Sequence, residues 1–123
     1  MENLGMVNLA YPSHERRIAL DWHRATAPRW ISIELCSDAG PWYPEEEGAH
    51  PTIEYAGPRG VRGWYDVLPD GSPAYRVEGN RLELALTERM TTEIGTVLVN
   101  VVFLGDLHAR LTQPLLNIRV MEV

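Results

Sequence analysis

The 123 residues carry a formal charge of −6, with 17 acids against 11 cations, and every cation is arginine. Such a surface repels phosphates unless the arginines gather on one patch, and their spacing between Arg16 and Arg119 gathers none, which sets nucleic acid aside as a partner. The single cysteine, Cys36, rules out an intrachain disulfide and a thiolate metal cluster, while 45% apolar content predicts one folded domain over residues 1–123.

No apolar run approaches the roughly 20 residues that span a bilayer. The start, "MENLGMVNLAYP", lacks the basic and apolar regions of a secretory signal, so the expectation is a soluble protein with no membrane partner.

Period-two alternation then recurs along the chain, the pattern of half-buried strands. "RIALDW" places Ile18, Leu20 and Trp22 on one face, and "WISIEL" sets Ile31, Ile33 and Leu35 opposite Trp30, Ser32 and Glu34. Cys36, just beyond, reads as a small buried hydrophobe. The acidic "PEEEGAHP" at 44–51 reads as a solvated loop. "TIEY", "GWYDVL" and "AYRV" are short strand candidates, and "RLELAL" alternates Leu82, Leu84 and Leu86 with Glu83 and Ala85. None is expected to run much beyond six residues. Turn chemistry separates them at Ala27-Pro28, Ala39-Gly40-Pro41, Ala56-Gly57-Pro58, Pro69-Asp70-Gly71 and Glu78-Gly79-Asn80. "TERMTTEIG" is too short for a stable helix and reads as a connector with one helical turn. Many short strands and regular turns predict an all-β, antiparallel two-sheet sandwich of immunoglobulin-like type.

The last two strands are the most informative. In "GTVLVNVVFLG", Val97, Val99, Val101 and Phe103 share one face, with Leu98, Asn100, Val102 and Leu104 on the other. A two-residue Gly105-Asp106 turn would align His108, Arg110 and Thr112 with the apolar set and bury their polar groups, each at a cost of about 1–3 kcal/mol. Placing Gly105, Asp106 and Leu107 in the loop instead sets Phe103 opposite Ala109 and Val101 opposite Leu111. Beyond Leu111 the apolar residues become Leu116, Ile118 and Val120, so the strand must change phase. Pro114, which has no N–H, lies in that interval, and a bulge is predicted over residues 112–114.

Candidate chemistry is sparse. No serine sits in a GxSxG elbow, Cys36 has no activating neighbour, and no histidine stands at metal-ligand spacing, so no catalytic residue, metal or cofactor is assigned. The pair Asp21 and His23 is the nearest approach to a metal or small enzyme site. The partner-binding candidates are aromatic. Trp42 and Tyr43 stand in a Gly-Pro loop, and Trp64 begins a strand in which either Trp64 or Tyr65 must point outward.

Over residues 64–123 the sequence resembles the Ig-like N-terminal domain of tailed-phage baseplate upper proteins and related tail-fibre attachment domains. The resemblance is carried by "PDG", the strand "NRLELAL" leading to Thr87-Glu88-Arg89-Met90, "GTVLVNVVF", and "TQP" followed by "LNIRV". It implies a non-enzymatic virion protein, made in the bacterial host cytoplasm, that docks other virion proteins and forms a homo-oligomer, a trimer or dimer. It brings no catalytic residues. The alternative is a carbohydrate-binding sandwich in which Trp42, Tyr43 and Trp64 stack on a glycan.

Overall fold

Ten strands account for most of the residues described by the computed structural model, which are 2–9, 18–23, 28–105 and 111–121. They are β1 (Glu2–Asn8), β2 (Ile18–His23), β3 (Arg29–Ser37), β4 (Gly40–Pro41), β5 (Ala49–Ala56), β6 (Arg62–Tyr65), β7 (Tyr75–Glu78), β8 (Arg81–Leu86), β9 (Gly95–Gly105) and β10 (Leu111–Met121). The first sheet runs β1-β3-β8-β7, with the short β4 also on β3, and the second runs β2-β10-β9-β5-β6.

Alternation dictates which side of each strand meets the other sheet. Ile31, Ile33 and Leu35 of β3, and Leu82, Leu84 and Leu86 of β8, are fully buried against Ile53 of β5, Val97, Val99 and Val101 of β9, and Leu116, Ile118 and Val120 of β10. Leu20 and Trp22 of β2 join that core from the far edge of the second sheet, as their spacing predicted. Burying each such side chain contributes about 1.5–3 kcal/mol, so the two sheets are held chiefly by this layer. A polar bond crosses it as well: the Tyr65 hydroxyl donates to the carbonyl oxygen of Ala85 at 2.7 Å, tying β6 to β8.

The layered all-β architecture matches the sequence reading, and four particulars correct it. First, the sheets are mixed: β1 pairs parallel with β3, and β2 pairs parallel with β10. Second, β3 and β5, expected to stop near six residues, run to nine and eight, while β9 and β10 reach eleven each. β5 begins at Ala49, so His50 and Pro51 leave the acidic loop and enter the ladder. Third, the described residues hold two 3-10 turns, Pro58–Gly60 and Glu88–Thr91, where one helical turn was expected. Fourth, Cys36 is half-buried, with its Sγ 3.6 Å from the carbonyl oxygen of Val7.

The phase change in β10 is present, shifted from its expected place. Leu111 stands opposite Phe103 and Gln113 opposite Val101, two residues later than the pairing of Phe103 with Ala109 that a three-residue loop would give. Residues 106–110, including Ala109, lie outside the described residues. The ladder then slips between Pro114 and Leu116: Pro114 opposes Asn100, while Leu116 opposes Val99. The extra residue is therefore Leu115, just past the predicted interval of 112–114. The reason lies on the other side of β10. Among the described residues β2 pairs with it from Leu116 to Met121, so Pro114 lies ahead of that parallel ladder, where its missing N–H removes none of the β2–β10 ladder bonds. Past the bulge, the even-numbered residues turn inward between two neighbouring strands.

Candidate functional site

The outward faces of the two sheets differ in chemistry. On the first, Arg76 of β7 stacks 4.5 Å over the ring of Trp30, and Glu83 of β8 lies 3.8 Å from both Arg76 and Arg81. Glu34, Arg81 and Glu78 continue the row, because they are register partners across β3, β8 and β7. Charges of both signs interleave there, which is the composition of a solvated surface.

The second sheet carries an apolar strip on its outward side as well. β9 is the source: Leu98, Val102 and Leu104 alternate with the core residues, so the strand is oily on both faces. Leu98 and Leu104 are 41% and 44% exposed, and Trp64 on the neighbouring edge is 73% exposed. Val102, by contrast, is almost wholly buried even though it points away from the core, and its register partner Thr52 is nearly so. These two floor a cleft of about 220 Å³ walled by Trp64, Leu104 and Glu54. Asn100 donates its side-chain N–H to Glu54 at 3.2 Å, which fixes the carboxylate beside the indole. A large exposed aromatic, aliphatic neighbours and one oriented polar group form the composition of a docking surface.

A second groove, of about 380 Å³, lies on the other flank of β6 and is lined by Trp64, Tyr65, Leu68, Pro69, Thr87 and Arg89. Tyr65 closes its floor, and burial holds its phenol pKa well above the ordinary value of 10.0. Trp64 thus stands between two concavities.

The three aromatic candidates occupy different places. Trp64 is the outward member of its pair, and Tyr65 the inward one. Trp42 is half-buried and spends its ring on Phe103, edge to face with centroids 5.1 Å apart, while its backbone N–H bonds Leu35. Tyr43 is 39% exposed beside the β7–β8 turn, close to Gly79. Trp42 therefore belongs to the end of the core, and Trp64 to the outward face of the second sheet. The side chain of His23 lies outside the described residues. Asp21 gives its carboxylate to Arg119, which donates to both oxygens at 3.1 and 3.0 Å. No group of three metal-ligating side chains occurs among the described residues. No helix among them is long and apolar enough to cross a membrane.

Sequence reasoning passed over Leu98, Leu104, Thr52 and Glu54. The available signal was the near-continuous apolar run of β9, which marks a strand covered on both sides.

These features define a class by architecture: a two-layer all-β sandwich of mixed sheets, one of which carries an apolar strip on its outward face. Among solved structures, the N-terminal domain of phage TP901-1 ORF48 has the same fold, with a TM-score of 0.62 over 99% of this chain and 100% of that chain, at 12% sequence identity. No protein-family model and no curated protein matches the sequence.

Proposed function

We propose that the chain is a non-enzymatic structural domain of a tailed-phage virion, an immunoglobulin-like attachment unit at the baseplate or tail fibre. It docks other virion proteins through the outward face of the second sheet and associates with its own copies as a dimer or trimer. The single observation that carries this reading is the end-to-end fold likeness to a phage protein domain, with neither chain leaving a remainder of any size. The apolar outward face around Trp64, Leu98 and Leu104 supports the docking surface. Quantitative mass spectrometry of purified particles tests it. The chain is expected at a fixed copy number per particle that survives salt washing, and its absence from particles overturns the reading.

A carbohydrate-binding reading draws on one feature, the Trp64 ring beside the oriented Glu54 carboxylate and Thr52. Saturable quenching of tryptophan fluorescence by a polysaccharide, lost in Trp64→Ala and kept in Trp42→Ala, would favour it.

A further inference from the structure

β6 ends the second sheet, and its open side is short. In an antiparallel ladder, alternate residues direct their N–H and C=O groups to opposite sides. The Gly57 N–H bonds the carbonyl of Val61, which assigns the odd residues 61, 63 and 65 to the β5 side. Arg62 and Trp64 therefore turn their backbone groups to the open edge. At Asp66 that edge is already closed, because the Ala74 N–H bonds its carbonyl and Val67 bridges Pro73. What remains is a two-residue edge bearing an exposed arginine and a tryptophan, and among the described residues the Arg62 guanidinium has no carboxylate partner.

Such an edge is complementary to itself. Three antiparallel twofold registers bring edge-facing groups of β6 opposite those of a second copy. Centred on Trp64, the pairing sets Arg62 against Asp66 of the second copy, where Ala74 already sits. Centred on Arg62, it sets two guanidiniums face to face. Centred on Gly63, it sets Arg62 opposite Trp64 twice over, and both edge residues exchange their N–H and C=O groups. Gly63 then occupies the axis at a close, non-hydrogen-bonded pair, where the absence of a side chain permits approach. Each Arg62 lies beside an indole face on the outward side, an arrangement that attracts cation to ring.

We propose that two copies of this chain associate through β6 in this register, joining their second sheets into one continuous ten-stranded sheet with a twofold axis at Gly63. The occupant of the edge is thus a second copy of the same chain. This rests on the self-association within the proposed function and is independent of which virion protein is docked. So small a contact predicts a concentration-dependent equilibrium rather than an obligate dimer.

Sedimentation equilibrium on the whole chain, from about 10 µM to 1 mM, reads it directly. The expected mass climbs from 13.9 kDa towards twice that value. Trp64→Arg places arginine against arginine and is expected to raise the dissociation constant by about tenfold or more. The double exchange Arg62→Trp with Trp64→Arg restores the cross-strand pair and is expected to recover association. Circular dichroism confirms that both exposed-site variants fold. A monomer at every concentration overturns the proposal, as does self-association indifferent to Trp64→Arg or not recovered by the exchange. Particle incorporation of a strictly monomeric chain would leave the virion reading standing while this one fails.

Discussion

Tyr65→Phe removes the hydroxyl that donates across the core from β6 to the Ala85 carbonyl, and its effect should depend on pH in a specific way. At neutral pH the substitution leaves the carbonyl of the fully buried Ala85 without the phenol's proton, a loss of about 1–2 kcal/mol. The sign of the pH dependence follows from the raised phenol pKa. In the folded protein, burial keeps the hydroxyl protonated above 10.0, whereas in the unfolded chain it ionises there. The Tyr65 contribution is therefore complete below pH 10 and declines as pH rises, by about 1.4 kcal/mol per unit. Tyr65→Phe lacks this decline, so the two stability curves should be separated at pH 7 and converge near pH 11. Urea unfolding followed by tryptophan fluorescence between pH 7 and 11 measures the difference. A constant gap, or no gap at pH 7, would refute a buried donor linking β6 to β8.

Other substitutions probe the layers separately. Ile118→Ala, in the segment past the bulge, should cost about 2–5 kcal/mol in urea unfolding, while Leu98→Ala on the outward face should stay within about 0.5 kcal/mol, since one is fully buried and the other is not. Gly63→Ala should lose about 1–3 kcal/mol by the same measurement, because the added methyl would meet the Tyr55 hydroxyl oxygen at 2.8 Å. Arg119→Ala should cost less than about 1 kcal/mol, falling further in high salt, because both partners of its bidentate contact with Asp21 are largely exposed.

The core of this fold was legible because alternation writes it directly. Every inward residue of β2, β3 and β8 was identifiable from period two, and so was the change of phase in β10. The hairpin's parity was also readable, since a one-residue error would bury His108, Arg110 and Thr112, but a two-residue shift preserves parity. That is why Phe103 pairs with Leu111 rather than Ala109. β1 was missed because Asn3, Gly5 and Asn8 interrupt its alternation, and the strand bends at Gly5, whose φ of +98° accompanies a shift in register. The parallel pairings were invisible because they join segments distant in sequence with no turn between them. At the candidate site, a choice between Trp64 and Tyr65 was foreseeable, and its direction was not. It depends on Tyr65 reaching Ala85 in the other sheet. The apolar outward face was written in β9, but a run oily on both sides identifies a covered strand without saying what covers it.

The central claim, that the second sheet's outward face docks a virion protein, is tested most directly by photocrosslinking in assembled particles. A benzophenone side chain at position 104 should form a covalent adduct with another virion protein, and one at position 76 on the charged face of the first sheet should not. Adducts confined to position 76, or none from position 104 in particles that contain the chain, would contradict the account.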